Sequence, residues 1–277
     1  MDYPTPALTV IGSINLDITA TTERLPGAGE TVMPGVLTMR PGGKGANQAA
    51  AAARLGATTR MIGAVGDDAS GVTMLDALRS AGVGTGDIRT IAGAQTGTAL
   101  VIVDSAGENQ IVVCPGANDD VSIDGVAFDD GPVLCQLEVD LELIVAASRA
   151  TTGFFALNAA PALDLPAELL ERCDLIIVNE TEYTLIPALA TAARVVRTLG
   201  GDGAEILSHG VRTAFSPAIR TEVVDSVGAG DAFCAALVLA LVSGRSDEEA
   251  LRIACGVGAD AVGHASSQPA FRLLGEY

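Results

Sequence analysis

The chain has 277 residues, 49% of them hydrophobic, and 34 acids against 16 bases give a net charge of −18. The length fits one large α/β domain or one domain with a small appendage, and the acid excess argues against a nucleic-acid-binding surface, which needs a basic face. The longest uninterrupted apolar run, 232–244, is 13 residues, short of the roughly 18–20 that span a bilayer.

In chain order, LTVIGSINLDIT (8–19) begins as a buried strand, breaks at Gly12-Ser13 and resumes with alternation. Residues 30–39 read as one or two short extended pieces. Residues 45–56 form an Ala-rich helix closed by Gly56, 58–66 the next strand, and 68–82 an amphipathic helix stopping at Gly82. Strand, helix, strand, helix is the order of a parallel α/β sheet. Residues 96–114 break it. There two apolar strands are joined by DSAGEN with no helix between, which is a hairpin. A hairpin interrupting the alternation predicts a flap beside the main sheet, with the extended pieces of 16–39 available to pair with it. The rhythm resumes with a strand over 131–140, a helix, a strand over 153–161, a short helix, a strand over 174–182 and a strand–turn–strand over 193–207. A glycine turn then leads into a helix over 227–244, and a last helix over 246–263 opens on a Ser246-x-x-Glu249 capping pattern.

No Cys-x-x-Cys occurs among Cys114, Cys135, Cys173, Cys234 and Cys255. Neither a disulfide framework nor a zinc site is indicated, and most of these cysteines read as small core residues. The first residues carry an acid at Asp2 and no signal-peptide pattern, so the expectation is a soluble, cytoplasmic protein.

The bases are 15 arginines and a single lysine, Lys44, in PGGKGANQ. Arginine does not reproduce the compact charge of a lysine, so this survivor is a candidate ligand contact. The stretch is not a P-loop, because Gly45 stands where Ser or Thr should follow the lysine, and it lacks the dinucleotide spacing. It is either a helix-entry turn or a contact for a small polar ligand through Gly43, Lys44 and Asn47. In VDSVGAGDAF, Gly228, Ala229, Gly230 and Asp231 stand at the mouth of a helix. Backbone N–H groups there lack intrahelical partners and the macrodipole is positive. The turn suits a phosphate or a developing charge. Asp231 either caps the helix or takes a proton from a hydroxyl while the amides hold the phosphoryl group under attack. Asn15 and Asp17, two apart on an extended segment, are either turn residues or partners for sugar hydroxyls. Asn179 and Glu182 either cap a helix or position a hydrated metal. TLGGDGA (198–204) is either a plain β-turn or the wrap around a nucleotide.

Taken in order, GSINLD, PGGKGANQAAAAARLGA, IGAVGDDASG, QLE, LNAAPA, VNETE, TLGGDGA and DSVGAGDAF make the chain resemble the ribokinase-like (PfkB-type) carbohydrate kinases over nearly its whole length. PGGKGANQ and LNAAPA look most like the ribokinase branch. The resemblance implies a three-layer α/β/α sandwich with a mostly parallel central sheet and a small β-sheet lid. The core would be 1–14, 43–93 and 118–277, and the lid 15–42 and 94–117. It implies ATP-dependent phosphorylation of the primary hydroxyl of a pentose, D-ribose first. Asp231 would be the general base, and Gly228, Ala229 and Gly230 with Asp231 would give the anion hole. Asn15, Asp17, Gly43, Lys44, Asn47 and Glu138 would contact the sugar. Asn179 and Glu182 would organise the Mg²⁺–phosphate region, and Thr198, Gly200 and Gly203, with Gly230, would line the nucleotide site. A monovalent cation, K⁺, would involve Asp225, the Val227 carbonyl, Ala261 and Ser266. The lid would pair two subunits.

The chain departs from the family pattern in places. Only 14 residues (184–197) separate Tyr183 from Thr198, so a core element is trimmed. Ser266 stands where glycine is usual, and Asp202 puts an acid in the nucleotide turn. Rival readings are a nucleoside or other-sugar kinase of the same fold, a non-catalytic sugar-binding homologue, and a dinucleotide-dependent oxidoreductase. The 3% aromatic content disfavours a nucleoside substrate, the retained Gly-Ala-Gly-Asp the sugar-binding homologue, and the missing fingerprint the oxidoreductase.

Overall fold

A computed structural model describes residues 7–277; residues 1–6, on which the expectation about a signal peptide and the first part of the expected core fall, lie outside the described residues. The chain opens with β1 (Ala7–Ile11), β2 (Asn15–Thr22), β3 (Gly35–Gly42), α1 (Lys44–Arg54), β4 (Thr58–Gly66), α2 (Ala69–Ser80) and β5 (Gly84–Ile91). There follow β6 (Gly97–Val103), β7 (Asn109–Cys114), β8 (Val133–Gln136), α3 (Leu141–Ala150), β9 (Phe155–Asn158), α4 (Ala167–Arg172), β10 (Leu175–Asn179) and α5 (Glu180–Leu185). Last come β11 (Val195–Thr198), β12 (Ala204–Ser208), β13 (Val211–Ser216), α6 (Ala229–Val242) and α7 (Asp247–Val262).

A nine-stranded sheet runs β13-β12-β11-β10-β9-β8-β1-β4-β5. It is parallel from β11 to β5, while β12 lies antiparallel to both its neighbours. Its central strands carry continuous apolar runs because both faces are covered: β8 and β9 are buried throughout. One apolar cluster joins the sheet to α1, α2, α6 and α7, and a second joins the other face to α3 and α4. The result is the expected three-layer α/β sandwich. Helix α6 is apolar on every side, and it is buried through most of its length from Ala232 to Ala240.

A separate four-stranded sheet runs β3-β2-β6-β7. The β6–β7 hairpin closes on Asp104, whose Oδ1 accepts the amides of Ala106 and Glu108. Strand β2 pairs antiparallel with β3 and parallel with β6. The pieces around the first strand and the interrupting hairpin thus do pair. Asp68 caps α2 by accepting the Gly71 amide, and Ser246 with Glu249 closes the capping box of α7.

Two strands were not expected, β5 and β13. Both are edges of the large sheet. An edge strand buries less of its surface, so its sequence lacks a continuous apolar run, as GTGDIRTI shows. The shortened segment after Tyr183 is built economically. The crossover from β10 to the parallel β11 uses six-residue α5 and a 3₁₀ turn at Pro187–Thr191, with Ile186 and Leu189 buried beneath it.

Candidate active site

Two glycine-rich segments interlock at the carboxyl ends of the central strands. A Cβ on Gly43, whose φ is +87°, would lie 2.7 Å from the Asn15 amide nitrogen, and one on Gly45 would lie 2.7 Å from that of Ser13. Only glycine permits this approach. The Ala46 amide donates to the Ser13 carbonyl at 2.9 Å, which fixes the start of α1. Lys44, Asn47 and Gln48 then fall three and four residues apart, on one face of α1.

Asp231 enters from the first turn of α6. Asn47 Nδ2 donates to its Oδ2 at 3.0 Å and Gln48 Nε2 donates to its Oδ1 at 3.1 Å. Behind these amides stands a second layer. Gln136 Nε2 donates to Gln48 Oε1 at 2.6 Å, Gln48 Nε2 also donates to Asn158 Oδ1 at 3.0 Å, and Gln268 Nε2 donates to Asn47 Oδ1 at 3.1 Å. The carboxylate therefore cannot turn without disturbing a buried network. Gln136 Oε1 is, among the described residues, the one buried side-chain polar atom without a hydrogen bond. It packs on Gly12, where any Cβ would collide with it, so its polar contact is a Cα–H.

Glu138 faces Lys44. Its Oε2 accepts from Ser13 Oγ at 2.6 Å and from the Lys44 amide at 3.1 Å, and its Oε1 lies 3.9 Å from Lys44 Nζ. Asp17 reaches the same place from β2, in space left by the missing side chain of Gly42. Asn15 is buried and its Oδ1 accepts from Asn118 Nδ2 at 2.7 Å.

These charges crowd one another. Burial, then the neighbouring Glu138 and Asp231, push the Asp17 carboxyl up to about 6. Burial also lifts Asp231 to about 6, against the pull of Lys44 and the Asn47 hydrogen bond. Burial works against the Lys44 ammonium, but Asp231, Glu138 and Glu182 outweigh it and its pKa rises. A carboxylate with its pKa near 6 is ionised at neutral pH yet basic enough to take up a proton.

A cleft of about 170 Å³ opens beside this cluster, lined by Lys44, Asn179, Glu182, Thr198, Gly228, Gly230 and Asp231 among others. Gly228 holds φ +80° at the mouth of α6, and a Cβ there would run into the Ser267 carbonyl. The Ala229 amide donates to the Ser226 carbonyl at 3.3 Å. Asn179 and Glu182 cap α5 reciprocally, each side chain accepting the other's amide at 2.8 Å. Gly200 (φ +53°) and Gly203 (φ +114°) stand in the turn beyond Thr198, outside the cleft lining. Asp225 and Val227 lie on the loop before Gly228, Ala261 in the last turn of α7 and Ser266 on the loop after it, and Asp225 pairs with Arg40 of β3 at 3.0 Å. A larger cleft of about 360 Å³, beside α7 and Tyr277, holds none of the candidate residues.

Sequence reasoning assigned no role to Gln48, Asn118, Gln136, Asn158, Gln268 or Arg40. Gln48 alone carried a usable signal, four residues after Lys44 on a helix that Lys44 itself opens.

Asp231 thus stands at the glycine-rich mouth of α6, in a cleft lined by carboxylates and one lysine. Residues 6–272 match the model of the pfkB family of carbohydrate kinases, and the chain belongs to that family. It is 37% identical over 263 residues to the ribokinase of Bacillus subtilis (strain 168), covering 88% of this chain and 89% of that protein. It is 33% identical to the ribokinase of Arabidopsis thaliana, over 92% of this chain and 75% of the relative. The solved structure of Arabidopsis thaliana ribokinase complexed with ribose and ATP superposes with a TM-score of 0.86 at 30% identity, over 98% of this chain and 97% of that one.

Proposed function

We propose that the protein is an ATP-dependent sugar kinase that phosphorylates the primary hydroxyl of a pentose, D-ribose being the substrate that fits best. One observation carries the reading. Asp231 is clamped by Asn47 and Gln48 at the glycine-rich mouth of α6, with its pKa lifted to about 6. In this reading the Asp231 carboxylate accepts the hydroxyl proton as the sugar oxygen attacks the γ-phosphorus. The bond from phosphorus to the β-bridging oxygen breaks and ADP leaves. Amides of the Gly228–Asp231 turn receive the equatorial charge. Asn15, Asp17, Gly43, Lys44, Asn47 and Glu138 hold the sugar, and Thr198, Gly200 and Gly203 the nucleotide.

Among the described residues no cluster of three or more His, Cys, Asp or Glu stands ready for a metal. Mg²⁺ binds through one or two protein oxygens and the substrate phosphates. The oxygen donors of Asn179 and Glu182 in the cleft fit this role, and bound Mg²⁺ would offset phosphate charge. Closure of the smaller sheet, 15–42 with 94–117, over the core would exclude water. The exposed Val36, Leu37, Met39, Ile111, Val112 and Val113 on that sheet support pairing of two lids in a homodimer. Five free thiols, four of them buried, suit the reducing cytoplasm.

A coupled ADP-release assay with Mg-ATP and ribose, 2-deoxyribose, fructose, adenosine and cytidine tests the reading. Turnover with ribose is expected. Turnover with another compound alone replaces the substrate, and sugar binding by calorimetry without turnover on any of them overturns the kinase.

A further inference from the structure

The loop at 224–228, the end of α7 and the loop that follows it to 268 are where a monovalent cation is expected from the family resemblance, and of the four residues named for it Asp225, Ala261 and Ser266 already have oxygens engaged in hydrogen bonds. Asp225 Oδ1 accepts the Val227 amide at 3.0 Å, and Asp225 Oδ2 accepts Arg40 Nη1 at 3.0 Å. The Ala261 carbonyl accepts the His264 amide at 3.1 Å, and Ser266 Oγ accepts the Gln268 amide at 3.2 Å. The Val262 carbonyl between them accepts the amides of both Val224 and Asp225. Ser266 also brings a side chain into a loop position where the resemblance leads one to expect none.

This ligand set does not fit a bare cation, because a positive charge already sits on the carboxylate that would bind it. We propose that the guanidinium of Arg40 takes the place of the activating monovalent cation, so that the enzyme works without K⁺. A guanidinium is always charged and planar, and it donates to a carboxylate oxygen with less hydration to lose than an ammonium. It stands on Asp225, three residues before Gly228, and so fixes the loop that presents the anion-receiving turn.

Arg40 differs from a diffusible ion in one respect: it is part of β3. The neighbouring Pro41 carbonyl accepts from Ser267 Oγ at 2.7 Å, and it is the Ser267 carbonyl that packs on Gly228. The end of β3 is therefore pinned to both loops that frame the turn. Arg40 acts here as a positioning residue, tying the smaller sheet to the anion-receiving turn as well as supplying its charge.

The inference rests on the kinase reading, and its test keeps the two apart. ADP release is measured in about 100 mM KCl and in choline chloride of equal ionic strength, for the wild-type protein and Arg40→Ala. Thermal melting is recorded for both proteins in both salts, without sugar or nucleotide. The wild type should give the same rate and the same Tm in the two salts. Arg40→Ala should lose about tenfold in rate in choline, a typical effector coupling, and K⁺ should restore rate and raise Tm. Activation of the wild type by K⁺, a K⁺-dependent rise in its Tm, or an Arg40→Ala protein indifferent to K⁺ would overturn the assignment. If no sugar is turned over, the kinase reading fails and the melting comparison alone decides the role of Arg40.

Discussion

Asp231→Asn should make the protein more stable and nearly inactive at once. Burial is the largest influence on this carboxyl and lifts its pKa from 3.8 to about 6. An acid whose pKa is raised on folding binds its proton more tightly in the folded state. Stability therefore falls as pH rises through the window from about 4 to 6, and above it the full penalty of holding the charge remains. That rise corresponds to about 3 kcal/mol. Asparagine keeps the shape without the charge. Both partners of the carboxylate are amide donors, Asn47 Nδ2 and Gln48 Nε2, so one of them would face the new amide's own N–H, at a cost of about 1–2 kcal/mol. The balance is a gain of about 1–2 kcal/mol at pH 8, which raises Tm by about 2–8 °C in a chain of this size. Near pH 4 the carboxyl is protonated in the folded wild type, the charge penalty has gone, and the gain should vanish or reverse. Loss of the base should lower kcat by about 10²–10⁴-fold. Calorimetry at pH 8 and pH 4 and steady-state kinetics at pH 8 check both halves. A lower Tm at pH 8, or a kcat within a few-fold of wild type, would refute the reasoning.

The remaining predictions concern the same cluster. The base must be ionised, so kcat/KM should fall about tenfold per pH unit below about 6; an acid limb near 4 would show that Asp231 does not govern it. Lys44→Met removes the ammonium that pulls the Asp231 pKa down, so the acid limb should move above 6 and KM for sugar or ATP should rise; unchanged kinetics would make the lone lysine incidental. Gly228→Ala forces a Cβ into a left-handed backbone against the Ser267 carbonyl; it should cost about 1–2 kcal/mol or more by urea titration and lower kcat more than it raises sugar KM. Asp17→Asn takes one charge from the cluster and one acceptor from the sugar contacts, so the acid limb should shift below 6 while KM for the sugar increases; an increase in KM for ATP alone would contradict the assignment.

The strands of the sheet interior and the long helices were legible because each sits wholly inside one environment. A parallel strand buried on both faces must be apolar throughout, and α1, α2 and α7 carry their own stop and cap residues. Strands β5 and β13, at the edges, carry no such constraint. In the site, Asp231 and Lys44 stood out because a charge beside glycines is conspicuous in any chain. Of the two amides that hold Asp231, Asn47 was a candidate ligand contact and Gln48 was marked only by its place on α1; the layer behind them was not legible. Asn158 and Gln268 are neutral and far apart in the sequence, and their role exists only once separate elements converge. Arg40 was hidden for another reason. It ends an extended segment, where a base reads as an ordinary solvated position, and its partner lies 185 residues away.

The placement of charge in the cleft follows one logic. Asp17, Glu138 and Asp231 offer acceptors on the side proposed for the sugar, and a neutral polyol with many hydroxyl donors loses nothing by facing them. The first turn of α6 offers donors on the side proposed for the phosphates. An anion straying to the carboxylate side would be repelled, so the two substrates sort themselves by charge before any shape is read. Lys44 stands at the boundary, close enough to Glu138 and Asp231 to keep the carboxylates tolerable, and one ammonium cannot neutralise three of them. Burial is the larger cause that raises both Asp17 and Asp231, and the residual crowding adds to it. In the proposed reaction the proton would rest on Asp231 after transfer and the product would carry new negative charge. With a pKa near 6, Asp231 would give the proton up at neutral pH, and the carboxylate so restored would repel the phosphorylated sugar. The burial and crowding that would make Asp231 a competent base would thereby also favour release of the product.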